Sequence, residues 1–284
     1  MQQKGVHWFP GHMQKAMREI EQKIKLIDIV LEIVDARAPL SSKNKYLENL
    51  TKSKKRIIVM SKKDLCDMNK LKAFEEKFKS EGYYPVACDL NQNNDINKLI
   101  KDIYIVGQDK IDRDVRRGMK PQPLRIMVIG IPNVGKSTLI NRLSKRGSAS
   151  SANTPGHTRS QQWIRVDKFE LLDTPGILPP HYDNNIEAIN LALIGSMKLE
   201  TISISDLSTA LIKFLLKNHP DALKARYNLK DEDLENEETI FKGIALRRGL
   251  LLQGQNYDLE KAEQLLLKEF REGLIVKTIV DEIC

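Results

Sequence analysis

Cysteine is scarce in this sequence: three residues in 284, at Cys66, Cys88 and Cys284. Three cannot pair off evenly, and none stands at metal-ligand spacing from another. That argues against a disulfide framework and against a cysteine-held metal, and for buried thiols in a reducing compartment. Long apolar runs are missing as well. No stretch approaches the roughly 18 residues that a membrane-spanning helix requires. The opening MQQKGVHWFPGH has no apolar core of the signal-peptide kind. A cytoplasmic chain without membrane contact is the expectation. No internal repeat is evident, so solenoid architectures are set aside.

What is present is ample apolar material, 41% of the chain, which is enough for real cores over a length that suits two domains. Lys and Arg number 46 against 38 Asp and Glu, giving a net charge of +8. Such a surplus fits a polyanionic partner, and equally a basic surface of no consequence.

From residue 24 short β-branched runs alternate with amphipathic stretches. Ile29–Val34, Arg56–Met60, Tyr83–Cys88 and Leu124–Ile129 read as strands. Helical spacing appears through Leu71, Phe74 and Phe78, and through Ile96, Leu99, Ile100 and Ile103. Continuous apolar strands between helices predict an α/β fold with a mainly parallel sheet. Residues 107–123, charged and containing Gly and Pro, read as a linker or long loop. Trp163–Val166 and Phe169–Leu172 are further strands. Beyond Tyr182 strand patterns cease. Leu207, Ala210, Leu211, Phe214 and Leu215 form a helical stripe with Ser205 placed to cap it, ended by His219-Pro220, and Asp258 is placed to cap a last helix. A smaller all-α domain over 182–284 is therefore expected after an α/β domain over 1–181.

The sharpest motif runs from Gly130 to Ser137, GIPNVGKS, and fits G-x-x-x-x-G-K-[ST]. Such a loop curls its amides, here those of Asn133, Val134, Gly135 and Lys136, around a phosphate. Lys136 would meet the outer phosphates, Ser137 would ligate Mg²⁺, and the helix opened by Ser137 and Thr138 would add its positive end. Downstream, Asp173-Thr174-Pro175-Gly176 follows a strand. Beside a phosphate loop, Asp173 suits the Mg²⁺ shell and the Gly176 amide suits sensing of a terminal phosphate. Thr158, in PGHT, is the natural hydroxyl to complete that shell.

Upstream, Ser61-Lys62-Lys63-Asp64 closes the strand at Met60. A carboxylate at Asp64 can accept from guanine N1–H and the 2-amino group together, a donor pair that adenine lacks. The Lys62 stem can lie along the base. P-loop GTPases use N/T-K-x-D at such a strand end, and this sequence resembles them. Here the motif comes first, followed by GIPNVGKS, PGHT and DTPG, an order similar to that of the circularly permuted GTPases. The N-terminal HWFPGHMQKA, with DARAPLS at Asp35–Ser41 and SQQW at Ser160–Trp163, narrows the resemblance to the YlqF/RbgA family of ribosome-assembly GTPases. It covers nearly the whole chain, although the C-terminal part matches by helical character more than by motif.

That resemblance implies GTP hydrolysis to GDP and phosphate, in a switch acting on the large ribosomal subunit and its rRNA, by a monomer. It also implies that His12, in the N-terminal segment 1–23, positions the attacking water. The place where many GTPases keep a Gln is taken here by Ile177, which cannot orient water. The bland alternative is that His12 caps a helix or packs beside Trp8 and Phe9. The family normally has Asn at Ser61, so base affinity is expected to drop by about 1 kcal/mol. Cys88 and Asp89 sit where relatives contact the guanine carbonyl, without the usual Ser-Ala pattern. Asn133 stands where GTPases of similar type hold K⁺. Basic clusters at Lys52–Arg56, Arg113–Lys120, Lys145-Arg146 and Arg247-Arg248 suggest rRNA backbone contacts, though each is also what a solvated face looks like. Two other classes compete: a small-molecule kinase, disfavoured by Asp64, and an RNA-binding assembly scaffold with a weak or vestigial nucleotide site.

Overall fold

A computed structural model describes residues 11–145, 162–166, 168–179, 182, 185–197, 202–252 and 256–283. The chain divides into two compact units, Met1–Glu187 together with Ile279–Cys284, and Ala188–Thr278.

In the first unit, α1 (Gly11–Lys23) precedes β1 (Ile29–Asp35), α2 (Lys45–Thr51), β2 (Lys55–Ser61), α3 (Met68–Ser80) and β3 (Tyr84–Cys88). Then come α4 (Asn93–Arg116), β4 (Leu124–Ile129), α5 (Lys136–Ser144), β5 (Gln162–Val166) and β6 (Phe169–Asp173). The six strands form one sheet in the order β3-β2-β1-β4-β6-β5. Every pairing is parallel except β5 with β6. All seven residues of β1 are buried, which explains why the strands read as continuous apolar runs rather than as alternating ones. The half of the sheet made first in the chain, β1 to β3, lies on one side of the β1–β4 seam, and the half carrying the phosphate loop lies on the other. The carboxyl ends of the five parallel strands, Asp35, Ser61, Cys88, Ile129 and Asp173, share one edge of the sheet. That is the edge where open α/β sheets bind ligands.

Residues 107–116, expected to begin a linker, instead form the last turns of the 24-residue α4. Their charges are spaced to support a helix: Lys110 pairs with Asp114 at 3.1 Å, and the Gln108 amide donates to Asp112 at 2.8 Å. The helix stops at Arg117, followed by Gly118 with φ 69°.

The C-terminal segment has no strand or helix of its own, yet it is tied into the first unit. Ile279 joins a buried cluster with Val34, Ile58, Met60, Phe74 and Phe78. The Val280 N–H donates to the Arg37 carbonyl at 2.8 Å. The Asp281 carboxylate accepts from the Leu40 and Ser41 amides, at 2.7 and 2.9 Å, and from the Ser41 hydroxyl. An expectation that gave all of 182–284 to one helical domain contains no hint of this return.

α6 (Asn185–Leu193) leads into the second unit, which holds α7 (Ile204–Asn218), α8 (Pro220–Tyr227), α9 (Glu237–Arg248) and α10 (Leu259–Arg271). Leu211, Leu215, Ile240, Ile244, Leu266 and Phe270 are buried there. The cap of α7 is Ser203, whose hydroxyl accepts from the Asp206 amide at 3.0 Å. Ser205, the residue expected in that role, lies inside the helix and donates to Glu263. Asp258 caps α10, accepting from the Lys261 amide at 3.0 Å.

Candidate nucleotide site

The loop from Gly130 to Gly135 joins β4 to α5. Asn133 and Gly135 both take the left-handed conformation, with φ 61° and 103°. Alternating backbone hands turn successive N–H groups inward and make a concavity for an anion. Asn tolerates that conformation. At Gly135 a Cβ would also fall 2.8 Å from a Leu90 methyl, so glycine is required twice over. Ser137 and Thr138 are exposed on the first turn of α5.

Lys136 is buried, and its ammonium donates to the Gly130 and Ile131 carbonyls at 3.1 and 2.8 Å. Burial pulls its pKa down to about 8, against the opposing attraction of Asp173. Asp173 ends β6, buried, in register with Val128 of β4. The Thr174 hydroxyl donates to the Val128 carbonyl at 2.7 Å and fixes the turn that follows. Gly176 then comes so close that a Cβ there would stand 3.0 Å from both the Lys136 ammonium and the Pro132 backbone. The two motifs on the phosphate side are thus packed against each other.

Ile177 is clamped. Its N–H donates to the Gly130 carbonyl at 3.3 Å, its carbonyl accepts from the Asn44 side-chain amide at 2.8 Å, and its side chain is buried. It serves as an anchor and cannot act on water.

On the base side, Ser61 is wholly buried. Its hydroxyl lies 2.6 Å from the Val134 carbonyl and 3.0 Å from the Val34 carbonyl. Lys62 is left-handed, with φ 59°, and its ammonium donates to the Asn133 carbonyl at 3.0 Å and to Asp35 at 2.7 Å. Two motifs some seventy residues apart, in reversed order, are therefore hydrogen-bonded to each other. Asp64 follows on the short turn Lys63–Leu65; it is exposed and accepts no hydrogen bond among the described residues. A carboxylate held beside the loop in that state is available to a donor pair.

The residue that sequence reasoning passed over is Asp35. It is completely buried, and burial works to raise its pKa. Arg37, donating from both its backbone and its guanidinium at 2.8–3.0 Å, together with Lys62, outweighs burial and holds the carboxyl below its usual range. Asp35 thereby orients Lys62 toward the loop. DARAPLS contained it, but an ion pair to a residue 27 positions later leaves no local trace. Asn44 was missed for the same reason.

Cys88 and Asp89 are at the end of β3, Cys88 in register with Ser61. Their side chains are committed elsewhere. Burial pushes the Cys88 thiol up to about 12, and the Asp89 carboxylate accepts from the Asn91 amide at 2.8 Å. What this segment can offer a base is backbone. The Leu90 carbonyl, held by Arg142 at 2.7 Å, docks it against α5. Thr158 and the side chain of His12 lie outside the described residues; His12 itself is on the first turn of α1. The Asn133 side chain is exposed and makes no hydrogen bond among the described residues.

The sequence model of a family described as a 50S ribosome-binding GTPase matches residues 125–242. The chain is 38% identical over 273 residues to Ribosome biogenesis GTPase A of Bacillus cereus, covering 96% of this chain and 92% of that one. It is 32% identical over 256 residues to Mitochondrial ribosome-associated GTPase 1 of Xenopus tropicalis, covering 86% and 80%. Among solved structures it is similar to GDP-bound YlqF, with a TM-score of 0.67 at 25% identity over 93% of this chain and 99% of that one. GNP-bound YlqF from T. maritima matches with a TM-score of 0.64 at 24% identity, over 95% and 100%.

Proposed function

The chain belongs to the family of ribosome biogenesis GTPases, and on that premise we propose that its GTP hydrolysis works a switch in assembly of the large ribosomal subunit. The observation that carries the site is the pair of hydrogen bonds from Ser61 and Lys62 to the loop bearing Lys136. It joins a guanine-selecting carboxylate, Asp64, to a phosphate cradle.

The loop amides and Lys136 bind and orient the phosphates, and Asp64 selects the base. The Ser137 hydroxyl and the Asp173 carboxylate are oxygen donors of the kind a hard divalent cation takes, and both neighbour Lys136. With Thr158 they would hold Mg²⁺, which offsets charge on the phosphate oxygens. Asn133, exposed at the loop crest, would hold K⁺ for the same electrostatic purpose. Because Ile177 is locked into the backbone of the site, water must be oriented from another element. His12, whose imidazole can accept or donate near neutral pH, takes that role. Gly176, against Lys136, is the point at which loss of a terminal phosphate would be felt. The rRNA and the helical unit are the proposed output of the switch, supported by family membership.

Multiple-turnover GTP hydrolysis, with and without purified large subunits, tests this reading. Subunits should raise turnover, and His12→Ala should remove roughly a hundredfold or more of the stimulated rate while GDP affinity holds. No stimulation by subunits would refute the switch. A His12→Ala protein hydrolysing at the parent rate would refute the role of His12.

A further inference from the structure

The fold sorts the basic clusters of the sequence. Arg56 is buried in an ion pair with Glu32. Arg247 pairs with Asp233 at 2.7 Å, and Arg248 lies 3.6 Å from Glu269 and over the Tyr227 ring. These cations serve the fold. Lys54, Lys55 and Arg113 come from two different clusters, and the fold brings them together with Lys25 and Lys110 around a cleft of about 410 Å³. The cleft lies where β1 and β2 begin, beneath the second half of α4.

Two carboxylates, Asp28 and Asp109, also line it, and both are engaged. Asp109 is held by Lys55 at 2.5 Å, and Asp28 accepts from the Arg125 amide at 2.9 Å. The side chains of Lys25, Lys54 and Arg113 make no hydrogen bond or ion pair among the described residues; Arg113 is only attracted at longer range by Asp109 and Asp114, and five cations face two carboxylates in the cleft. A second hollow of about 270 Å³ adjoins the first, but Asp28, Asp114 and Glu170 there outnumber Lys110 and Arg125, so the basic surface stops at the first cleft. The result is a basic trough along the amino ends of β1 and β2. Seven residues of strand, about 3.3 Å each, put it some 20 Å from the nucleotide edge.

We propose that this trough, formed by Lys25, Lys54 and Arg113 over the strand starts, is a binding site for the phosphodiester backbone of RNA. Among the described residues no aromatic side chain lines the cleft, so there is no platform for a stacked base and no means of reading one. An excess of exposed cations and no stacking surface together suit phosphates contacted in series. An acidic protein segment would match the charge, but Ile27 and Ile29 in the cleft are buried and offer it no apolar anchor. The inference rests on the ribosomal reading above, which supplies the RNA. It adds a face of the molecule remote from the nucleotide.

The test is filter binding of the full chain to a transcript of the large-subunit rRNA across a KCl series. The double variant Lys54→Glu/Arg113→Glu is compared with Lys70→Glu/Lys72→Glu, an equal charge change on exposed positions of α3. The trough variant should lose roughly tenfold or more in affinity and about 1.5 in the slope of log K against log salt, as expected for two phosphate contacts. GDP affinity and thermal stability should match the parent. Equal losses in both doubles would overturn the site by reducing it to net charge, as would an unchanged trough variant. A trough variant that still binds RNA but loses a ribosomal protein would overturn it in favour of a protein partner. If the parent bound no rRNA, the ribosomal reading and the trough would fall together; failure of the trough variant alone to weaken binding spares the former.

Discussion

Ser61→Ala removes one of the two side-chain hydrogen bonds that fasten the base motif to the phosphate loop. In the folded protein that hydroxyl is fully buried, 2.6 Å from the Val134 carbonyl. Losing a buried hydrogen bond costs about 1 kcal/mol, and a carbonyl stranded without a donor can cost about 1–3. Water cannot easily replace the donor at a site with no exposure. A net loss of ~1–2 kcal/mol follows, because the 3.0 Å bond from Lys62 to Asn133 still holds the neighbouring residue. That loss should appear as a roughly 5- to 30-fold rise in Kd for GDP and GTP alike, since both use the same loop. Discrimination between GDP and IDP should not change, because Asp64 and not Ser61 reads the 2-amino group. Fluorescence titration with the labelled nucleotides measures all three quantities. Unchanged affinities would show that the fastening is incidental. A collapse of GDP over IDP would show that Ser61 faces the base, and the reasoning would fail.

Lys136 supplies a pH dependence. Its pKa lies near 8 in the free protein, and a bound phosphate must raise it, so above pH 8 binding takes up a proton. Affinity should therefore fall by up to tenfold per unit as pH rises past 8, and be insensitive to this group below about pH 7. A flat GDP affinity from pH 7 to 9.5 in titration calorimetry would contradict that. Asp281→Ala should lower stability by about 1.5–3 kcal/mol, the usual worth of hydrogen bonds to a charged group. It would be read as a lower urea midpoint, and an unmoved midpoint would mean the C-terminal segment is not anchored through Ser41.

These expectations also mark what could be read without a fold. The phosphate loop was legible because its chemistry is local: glycines, a lysine and a serine at fixed spacing between a strand and a helix. The strands were legible because burial on both faces leaves near-continuous β-branched runs such as Ile29–Val34. The charged end of α4 reads as a linker because polarity and Gly107 resemble a breaker, whereas its charges are spaced as partners along a helix. Ser203 and Ser205 compete for one cap, and only backbone geometry decides between them. The role of Ser61 was half legible. A hydrogen-bonding residue was expected there, but its partner is the loop carbonyl of Val134, which nothing nearby in sequence announces. Asp35 with Lys62, Asn44 with Ile177, and Asp281 with Ser41 are separated by 27, 133 and 240 positions. Contacts at such separations carry no periodicity or motif for a sequence to display.

In the proposed function, two motifs in reversed order fold into one guanine-selective site, with Asp64 as the selector. The direct measurement is the affinity of Asp64→Asn for GDP and for XDP. An amide can donate to the C2 carbonyl of xanthine but cannot accept from both donors of guanine. GDP affinity should fall at least about a hundredfold, from the loss of two charge-assisted bonds at ~1.5 kcal/mol or more each, and XDP should become the preferred ligand. A variant that still prefers GDP as the parent does would contradict the account.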